Sequence, residues 1–237
     1  MQFFSCECGD VATCNRPPWQ NAGMIPSEKL VFLDLETTGA NPVSDRITEI
    51  GLVEVKGEQV ARWSTLVNPQ MTIPPFIEHL TGISDSMVRD APLIDAVLDA
   101  VRDRLQGALF IAHNVRFDYG FLNNACLQAG TPLQNEVLCT VRLSRRLFPA
   151  ERRHNLDTLI ERHQLVTGER HRALADADLL WQLWNKFSSE IAPEIFQPAV
   201  QALRQRPGEP AAQKKPARRR TDIDAQALDS AMARTPR

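Results

Sequence analysis

The amino-acid sequence predicts a domain of the α/β class, in which helices pack on a β-sheet. Three apolar, strand-like segments follow one another with short links, which implies an antiparallel meander. A further buried strand-like segment then alternates with segments of helical periodicity. The 237 residues, of which 43% are hydrophobic, are enough for one sizeable core with additional tails.

The predicted strands are bounded by turn residues. The first is a continuous run rich in Val, Leu and Phe, which is typical of a central strand. The sequence "KGE" between the second and third strands predicts a hairpin turn. We predict that the four strands span residues 30–35, 47–55, 59–67 and 108–113.

The helical segments carry start and stop signals. Pro92 opens a helix that ends before Gly107, and Gly130 ends another helix. Ser84 and Asn155 are placed to cap two short helices. We predict that the longer helices span residues 92–105, 118–129, 138–147 and 173–187.

Composition divides the chain into three parts. Residues 1–27 form a loose leader, residues 28–195 form one domain, and residues 196–237 form a basic, Pro-rich tail that is predicted to be disordered. The net charge of -2 predicts no partner by itself. No stretch is long and apolar enough to span a membrane, and the first residues lack a secretory signal pattern. We therefore predict a cytoplasmic location.

The five cysteines fall into two groups. Cys126 and Cys139 lie in apolar segments and are predicted to be reduced core thiols. Cys6, Cys8 and Cys14 lie in the leader without a clear fourth ligand. Two interpretations of these three stay open: a zinc site, or a leader in which they have no role.

Two carboxylates at the end of the first strand indicate a cation site. Side chains alternate along a strand, so Asp34 and Glu36 share one face while Leu33 and Leu35 share the other. An unpaired buried charge is costly, and two like charges side by side favour a cation between them. The pair therefore predicts a cation-binding site rather than two solvated side chains at the end of a strand.

Further candidates lie later in the chain. Asp118 follows the strand 108–113, and His171 precedes the last long helix, which contains Asp176. Taken alone, Asp118 is a helix cap and Asp176 belongs to a solvated face with Asp178. Taken together, four carboxylates suit two Mg²⁺ or Mn²⁺ ions at a phosphoryl centre. A histidine near them is suited to deprotonate the attacking water.

Three segments, "DLETTG", "HNVRFD" and "HRALAD", resemble the signature segments of the DEDDh 3′→5′ exonucleases, in the right order. The likeness is greatest to the proofreading epsilon subunit of bacterial DNA polymerase III and its stand-alone relatives, and it covers residues 29–187. The resemblance implies an RNase-H-like fold, with a five-stranded mixed sheet flanked by helices.

The resemblance also implies roles for individual residues. Asp34, Glu36, Asp118 and Asp176 are the expected ligands of two Mg²⁺ or Mn²⁺ ions, and His171 is the expected general base. The expected contacts to the 3′-terminal nucleotide are made by Glu36, Thr37, Leu80, Asn114 and Phe117. His113 is expected to support the site residues from behind or to be a packing histidine, rather than to act as a base. Asp157 is expected to be a structural residue.

The predicted function is a metal-dependent 3′→5′ exonuclease that acts on single-stranded or frayed DNA, in proofreading or repair. A polymerase subunit is a possible partner. One alternative is an exoribonuclease that trims RNA 3′ ends, and another is a non-catalytic nucleic-acid-binding module. The arginine-rich stretch 142–155 is either a solvated surface or a phosphate-binding surface.

Overall fold

The computed structural model describes residues 28–168 and 170–207. The predicted leader, with Cys6, Cys8 and Cys14, lies outside the described residues, as does the tail from residue 208 onward. Within the described part of the chain, no helix is both long and apolar enough to cross a membrane.

The structure contains one five-stranded mixed sheet with the strand order β3-β2-β1-β4-β5. The first three strands pair antiparallel, as the predicted meander requires, and β4 and β5 extend the sheet in parallel with β1. The predicted α/β class and mixed sheet are thereby confirmed. The strands are β1 (Lys29–Thr37), β2 (Ile47–Lys56), β3 (Gln59–Leu66), β4 (Ala108–Ala112) and β5 (Val137–Cys139).

Helices cover both faces of this sheet. Those foreseen from capping and stop residues begin and end within a few residues of the predicted positions. The helices are α1 (Pro75–Thr81), α2 (Asp85–Val88), α3 (Ile94–Leu105), α4 (Arg116–Gln128), α5 (Thr140–Leu147), α6 (Leu156–His163), α7 (Ala173–Glu190) and α8 (Pro193–Leu203).

Strand β1 is central, and its alternate side chains enter two separate hydrophobic cores. Leu30 and Phe32 belong to the core beneath α7 and α8. Val31 and Leu33 belong to the core beneath α3 and α4. Each fully buried side chain of this size contributes roughly 1.5–3 kcal/mol through loss of apolar surface from water. Because both faces are covered, the strand reads as one continuous apolar run.

Two elements differ from the sequence predictions. Strand β5 has only three residues and runs directly into α5, so the predicted helix 138–147 was wrong in its first two residues. Helix α8 extends past residue 195, the predicted end of the domain, and Phe196 and Val200 are buried in the α7 core. The sequence analysis assigned the residues from 196 onward to a disordered tail because of their composition, and α8 includes Pro198, which is unusual inside a helix.

Candidate active site

The site begins where β1 ends. Asp34 and Glu36 lie opposite Gly51 and Glu49 of β2, and both are half-buried on the face that α7 covers. The pairing register shifts between Glu36 and Thr37, which marks a β-bulge or irregularity at the end of the strand. Such irregularities at strand ends re-aim side chains next to functional sites.

Helix α7 brings a third carboxylate to this pair. Asp176, in the first turn of α7, is only 5% exposed. One carboxylate oxygen each of Asp34, Glu36 and Asp176 lies within 4.8 Å of the others. Three carboxylates at this spacing form a donor set suited to a hard divalent cation. The structure therefore brings together three of the four ligands predicted from sequence.

The fourth predicted ligand, Asp118, lies beside this group but outside it. It is 2% exposed, and its carboxylate accepts hydrogen bonds from its own backbone N–H and from that of Leu35. Its charge still acts on Asp34 and Glu36. The alternative interpretation of Asp118 as a helix cap is wrong, because Val115 occupies the cap position and Asp118 lies inside the first turn.

The carboxylates hold their protons unusually strongly in the absence of a cation. Burial, and then the charge of Asp176, raise the pKa of Glu36 to about 8. Burial also raises the pKa of Asp118 to about 8. Burial and the neighbouring carboxylates raise the pKa of Asp34 well above its usual value. A cluster that repels its own negative charge is a fitting receptor for a cation.

Arg170 supplies positive charge to this cluster, which sequence reasoning did not foresee. Its guanidinium pairs with the Asp176 carboxylate and, at 2.8 Å, with that of Asp157. The same positive charge lowers the pKa values of Asp34 and Glu36, although burial outweighs it. Asp157, expected to be structural, therefore holds the arginine that pairs with a predicted metal ligand.

His171, the predicted general base, precedes α7 and lies next to Asp176. The residue is half-buried and has a positive φ of 58°, a backbone conformation that is uncommon for a non-glycine residue. Its backbone N–H donates a hydrogen bond to the Asp176 carboxylate, and its charge also lowers the pKa of that group against the effect of burial. The backbone of His171 is thus attached to the acidic cluster, and its role as the general base stays a prediction.

His113 is a packing histidine, as expected. Its Nδ1 lies 2.8 Å from the hydroxyl of Thr140, and it also hydrogen-bonds to the backbone of His154. Burial, followed by the charge of Arg170, lowers the pKa of His113 to about 4. The ring is therefore neutral near pH 7, and it joins the start of α5 to the loop that precedes α6.

The predicted substrate contacts differ in how far they are exposed. Thr37 is buried, and its hydroxyl donates to the carbonyl of Gly39 at 2.6 Å. Leu80 is 50% exposed on α1. Asn114 is exposed with a φ of 67°, and Phe117 is half-buried against Phe121, with ring centroids 4.9 Å apart. Their contact with a terminal nucleotide stays a prediction.

Glu49 is a further residue that the sequence analysis missed. It is buried opposite Glu36, where it accepts two hydrogen bonds from Arg172 and one from the backbone N–H of Ala173. A signal was available in the sequence "TEIG", because a glutamate beside apolar strand residues needs a partner if it is buried.

The fold and the site together define a class: RNase-H-like α/β proteins with an acidic centre at the end of the central strand, suited to a divalent cation. The chain belongs to the RNase_T exonuclease family, whose model matches residues 31–183. The predicted family resemblance and the predicted exonuclease class are thereby confirmed.

Individual relatives agree with this membership. The chain is 38% identical over 173 residues to a DNA polymerase III of PolC type from Caldanaerobacter subterraneus subsp. tengcongensis, covering 73% of this chain and 12% of that protein. It is 39% identical over 183 residues to the 3′-5′ exonuclease DinG of Bacillus subtilis, covering 76% of this chain and 18% of that protein. The chain thus spans less than a fifth of the length of these two relatives.

Among solved structures, the chain resembles Exonuclease X in complex with 5′ overhanging duplex DNA. The TM-score is 0.55 and the sequence identity is 28%, and the alignment covers 72% of this chain and 99% of that chain.

Proposed function

We propose that this chain is a divalent-metal-dependent exonuclease that removes nucleotides one at a time from the 3′ end of single-stranded or frayed DNA. The observation that carries the proposal is the cluster of Asp34, Glu36 and Asp176, whose carboxylate oxygens lie within 4.8 Å of one another. Membership of the exonuclease family supports the same reaction class.

The donor set fits Mg²⁺ or Mn²⁺, because it consists of oxygen ligands. Burial and then the neighbouring carboxylates raise the pKa values of Asp34 and Glu36, so a bound cation would relieve an unfavourable concentration of negative charge. Asp34, Glu36, Asp118 and Asp176 would hold two such ions. When bound, these ions would polarise the attacking water and stabilise the charge on the leaving 3′ oxygen.

The chain's own residues would perform the remaining work. His171, beside Asp176, would take the proton from the attacking water. Thr37, Leu80, Asn114 and Phe117 would hold the 3′-terminal nucleotide, with Leu80 offering an exposed apolar surface to its base.

DNA is the substrate that the relatives favour. One relative is named as a DNA polymerase and another as a 3′-5′ exonuclease, and Exonuclease X was solved with duplex DNA that has a 5′ overhang. We extend that preference to this chain, in proofreading or repair. A polymerase partner is part of the same proposal, since the polymerase relative is a much longer chain.

An exposed group of arginines would bind the rest of the strand. We call it the arginine surface, and it lies on α5 and in the loop after it. The one carboxylate in this segment, Glu151, is paired with Arg162 and does not offset these charges. His113 fixes both ends of the segment, through Thr140 and the backbone of His154. The surface consists of Arg142, Arg145, Arg146, Arg152 and Arg153.

The direct test uses 5′-labelled DNA and RNA oligonucleotides of the same sequence, each with Mg²⁺, Mn²⁺ or EDTA. The proposal predicts a metal-dependent ladder that shortens from the 3′ end of DNA, and no ladder on DNA whose 3′ end is blocked. A ladder on RNA alone would favour the exoribonuclease alternative. Binding without cleavage of either strand would favour the non-catalytic module.

A further inference from the structure

The beginning of helix α7 is fastened to strand β2 by one buried carboxylate. Glu49 is 4% exposed and accepts hydrogen bonds from Nε of Arg172 at 3.0 Å and from Nη2 at 2.8 Å. It also accepts one from the backbone N–H of Ala173 at 3.0 Å. A two-pronged contact with a guanidinium fixes orientation as well as distance. Glu49 therefore fixes both the position and the direction in which α7 begins.

A glycine on the same strand face lets the helix lie directly against the sheet. Gly51 is two residues after Glu49, so both positions face α7. A Cβ atom at Gly51 would lie 2.1 Å from the backbone N of Leu174 and 2.2 Å from the carbonyl carbon of Ala173. These are backbone atoms and cannot rotate away, so any side chain at this position moves α7.

These two contacts stand directly opposite the catalytic carboxylates. In the β1–β2 register, Glu36 pairs with Glu49 and Asp34 pairs with Gly51. Asp176 lies in the first turn of α7, whose beginning Glu49 and Gly51 fix. The separation between the carboxylates of β1 and that of α7 is consequently set at these two positions of β2.

We propose that Glu49 is a positioning residue for the reaction. Together with the space left by Gly51, it sets the place of Asp176 and His171 relative to Asp34 and Glu36. The expected effect of Glu49 on kcat rests on the proposed exonuclease function. Its expected effect on metal affinity rests only on the proposed metal site.

A purely stabilising role explains Glu49 less well. Replacing a buried ion pair by apolar groups of similar volume is often neutral or stabilising, so such a pair is weak evidence for stability. Glu49 also places a second carboxylate directly opposite Glu36 in the β1–β2 register. A negative charge in this position is unfavourable unless the geometry that it enforces is needed.

The first test compares Glu49→Gln with Glu54→Gln. Glu54 is a matched control, because it lies on the same strand and pairs with Lys29 and Arg104. We expect Glu49→Gln to lower kcat at least ~10-fold on single-stranded DNA, with KM for DNA within about twofold, because small misplacements of catalytic groups cost up to ~100-fold. Calorimetry should show weaker Mn²⁺ binding to Glu49→Gln than to Glu54→Gln.

The outcomes separate this inference from the proposed function. If Glu49→Gln keeps both kcat and Mn²⁺ affinity within about twofold of the Glu54→Gln values, at a temperature where both are folded, the positioning role is wrong. If the unmodified protein does not cleave DNA, the proposed function fails, and the Mn²⁺ titrations still decide whether Glu49 positions Asp176.

A second pair of variants tests the close approach at Gly51. Gly51→Ala should reduce kcat by about 100-fold or more, because α7 has to move away from β2. Gly120→Ala is the control, since a Cβ there would meet only Pro42, at an ordinary 3.9 Å. A folded Gly51→Ala protein with the kcat of Gly120→Ala would contradict the proposal, and if Gly51→Ala fails to fold the Glu49→Gln comparison decides.

Discussion

Arg170 pairs with Asp176, a carboxylate that belongs to the three-membered cation site. An arginine guanidinium and a divalent ion would therefore compete for the same carboxylate. The second ion pair of Arg170, with Asp157, lets the arginine stay close when it leaves Asp176.

Arg170→Ala should bind Mn²⁺ more tightly than the unmodified protein, by about fivefold, which corresponds to ~1 kcal/mol. The reason is that Mn²⁺ no longer has to displace the Arg170 guanidinium from the Asp176 carboxylate. Isothermal titration calorimetry measures the affinity directly. Arg62→Ala is a suitable control, because Arg62 pairs with Asp178 two residues further along the same helix. Weaker Mn²⁺ binding by Arg170→Ala would mean that Arg170 supports the metal site.

The metal-free protein should lose stability as the pH rises from about 4.5 to 8. The pKa values of Glu36 and Asp118 are raised to about 8, so the folded state keeps protons that the unfolded chain has released. Their contribution to stability is complete below the ordinary carboxylate pKa and is lost as the pH approaches 8. Thermal unfolding in EDTA across this range tests the sign, and added Mg²⁺ should reverse the loss most strongly at high pH.

Glu36→Gln should flatten this pH dependence, because it removes one of the carboxylates whose raised pKa values produce it. Glu54→Gln should not, since the pKa of Glu54 is lowered by its hydrogen bonds to Lys29 and Arg104 despite burial. An equally steep decline in Glu36→Gln and the unmodified protein would show that another group titrates.

The arginine surface should make strand binding depend on salt. Each phosphate contact on single-stranded nucleic acid contributes about 0.7 to the slope of log affinity against log salt. Arg152→Ala and Arg153→Ala should each reduce that slope by ~0.7, as measured by fluorescence anisotropy in Ca²⁺ or EDTA. Lys56→Ala removes one exposed charge at the far end of β2 and should leave the slope unchanged. If the slope of log affinity against log salt is the same in all three variants, the DNA strand does not bind at the arginine surface.

His171→Ala should lower kcat by about 100-fold to 10,000-fold, the usual contribution of a general base. Mn²⁺ binding should change little, because the expected metal ligands remain. His79→Ala is the control, since it removes an exposed imidazole that the proposed chemistry does not use. A near-normal rate in single-turnover assays of His171→Ala would assign the proton transfer to another group.

Much of the fold follows from local pattern. The apolar run of β1, the hairpin after β2 and the proline and glycine signals around α3 are read from neighbouring residues, and each lies close to its predicted position. The shared face of Asp34 and Glu36 follows from strand alternation alone. By contrast, β5 is too short to show a period, and the apolar stripe of α8 is masked by polar residues and proline.

The parts of the site that were missed depend on contacts distant in sequence. Arg172 reaches Glu49 from 123 positions away, so the pair appears only once α7 lies on β2. The role of Arg170 is likewise visible only from its ion pairs with Asp157 and Asp176, which belong to two different helices. Local sequence predicts the carboxylates. The residues that position them or pair with their charge are identified only from tertiary contacts.

Asp34, Glu36 and Asp176 are proposed to form one catalytic cation site. The most direct measurement is the rate of 3′-terminal nucleotide release from 5′-labelled single-stranded DNA in Mg²⁺, for the unmodified protein, Asp34→Asn and the control Asp178→Asn. We predict that Asp34→Asn folds, binds Mn²⁺ much more weakly and loses at least ~1,000-fold in rate, while Asp178→Asn retains activity. An Asp34→Asn protein that releases nucleotides at the normal rate would contradict the account.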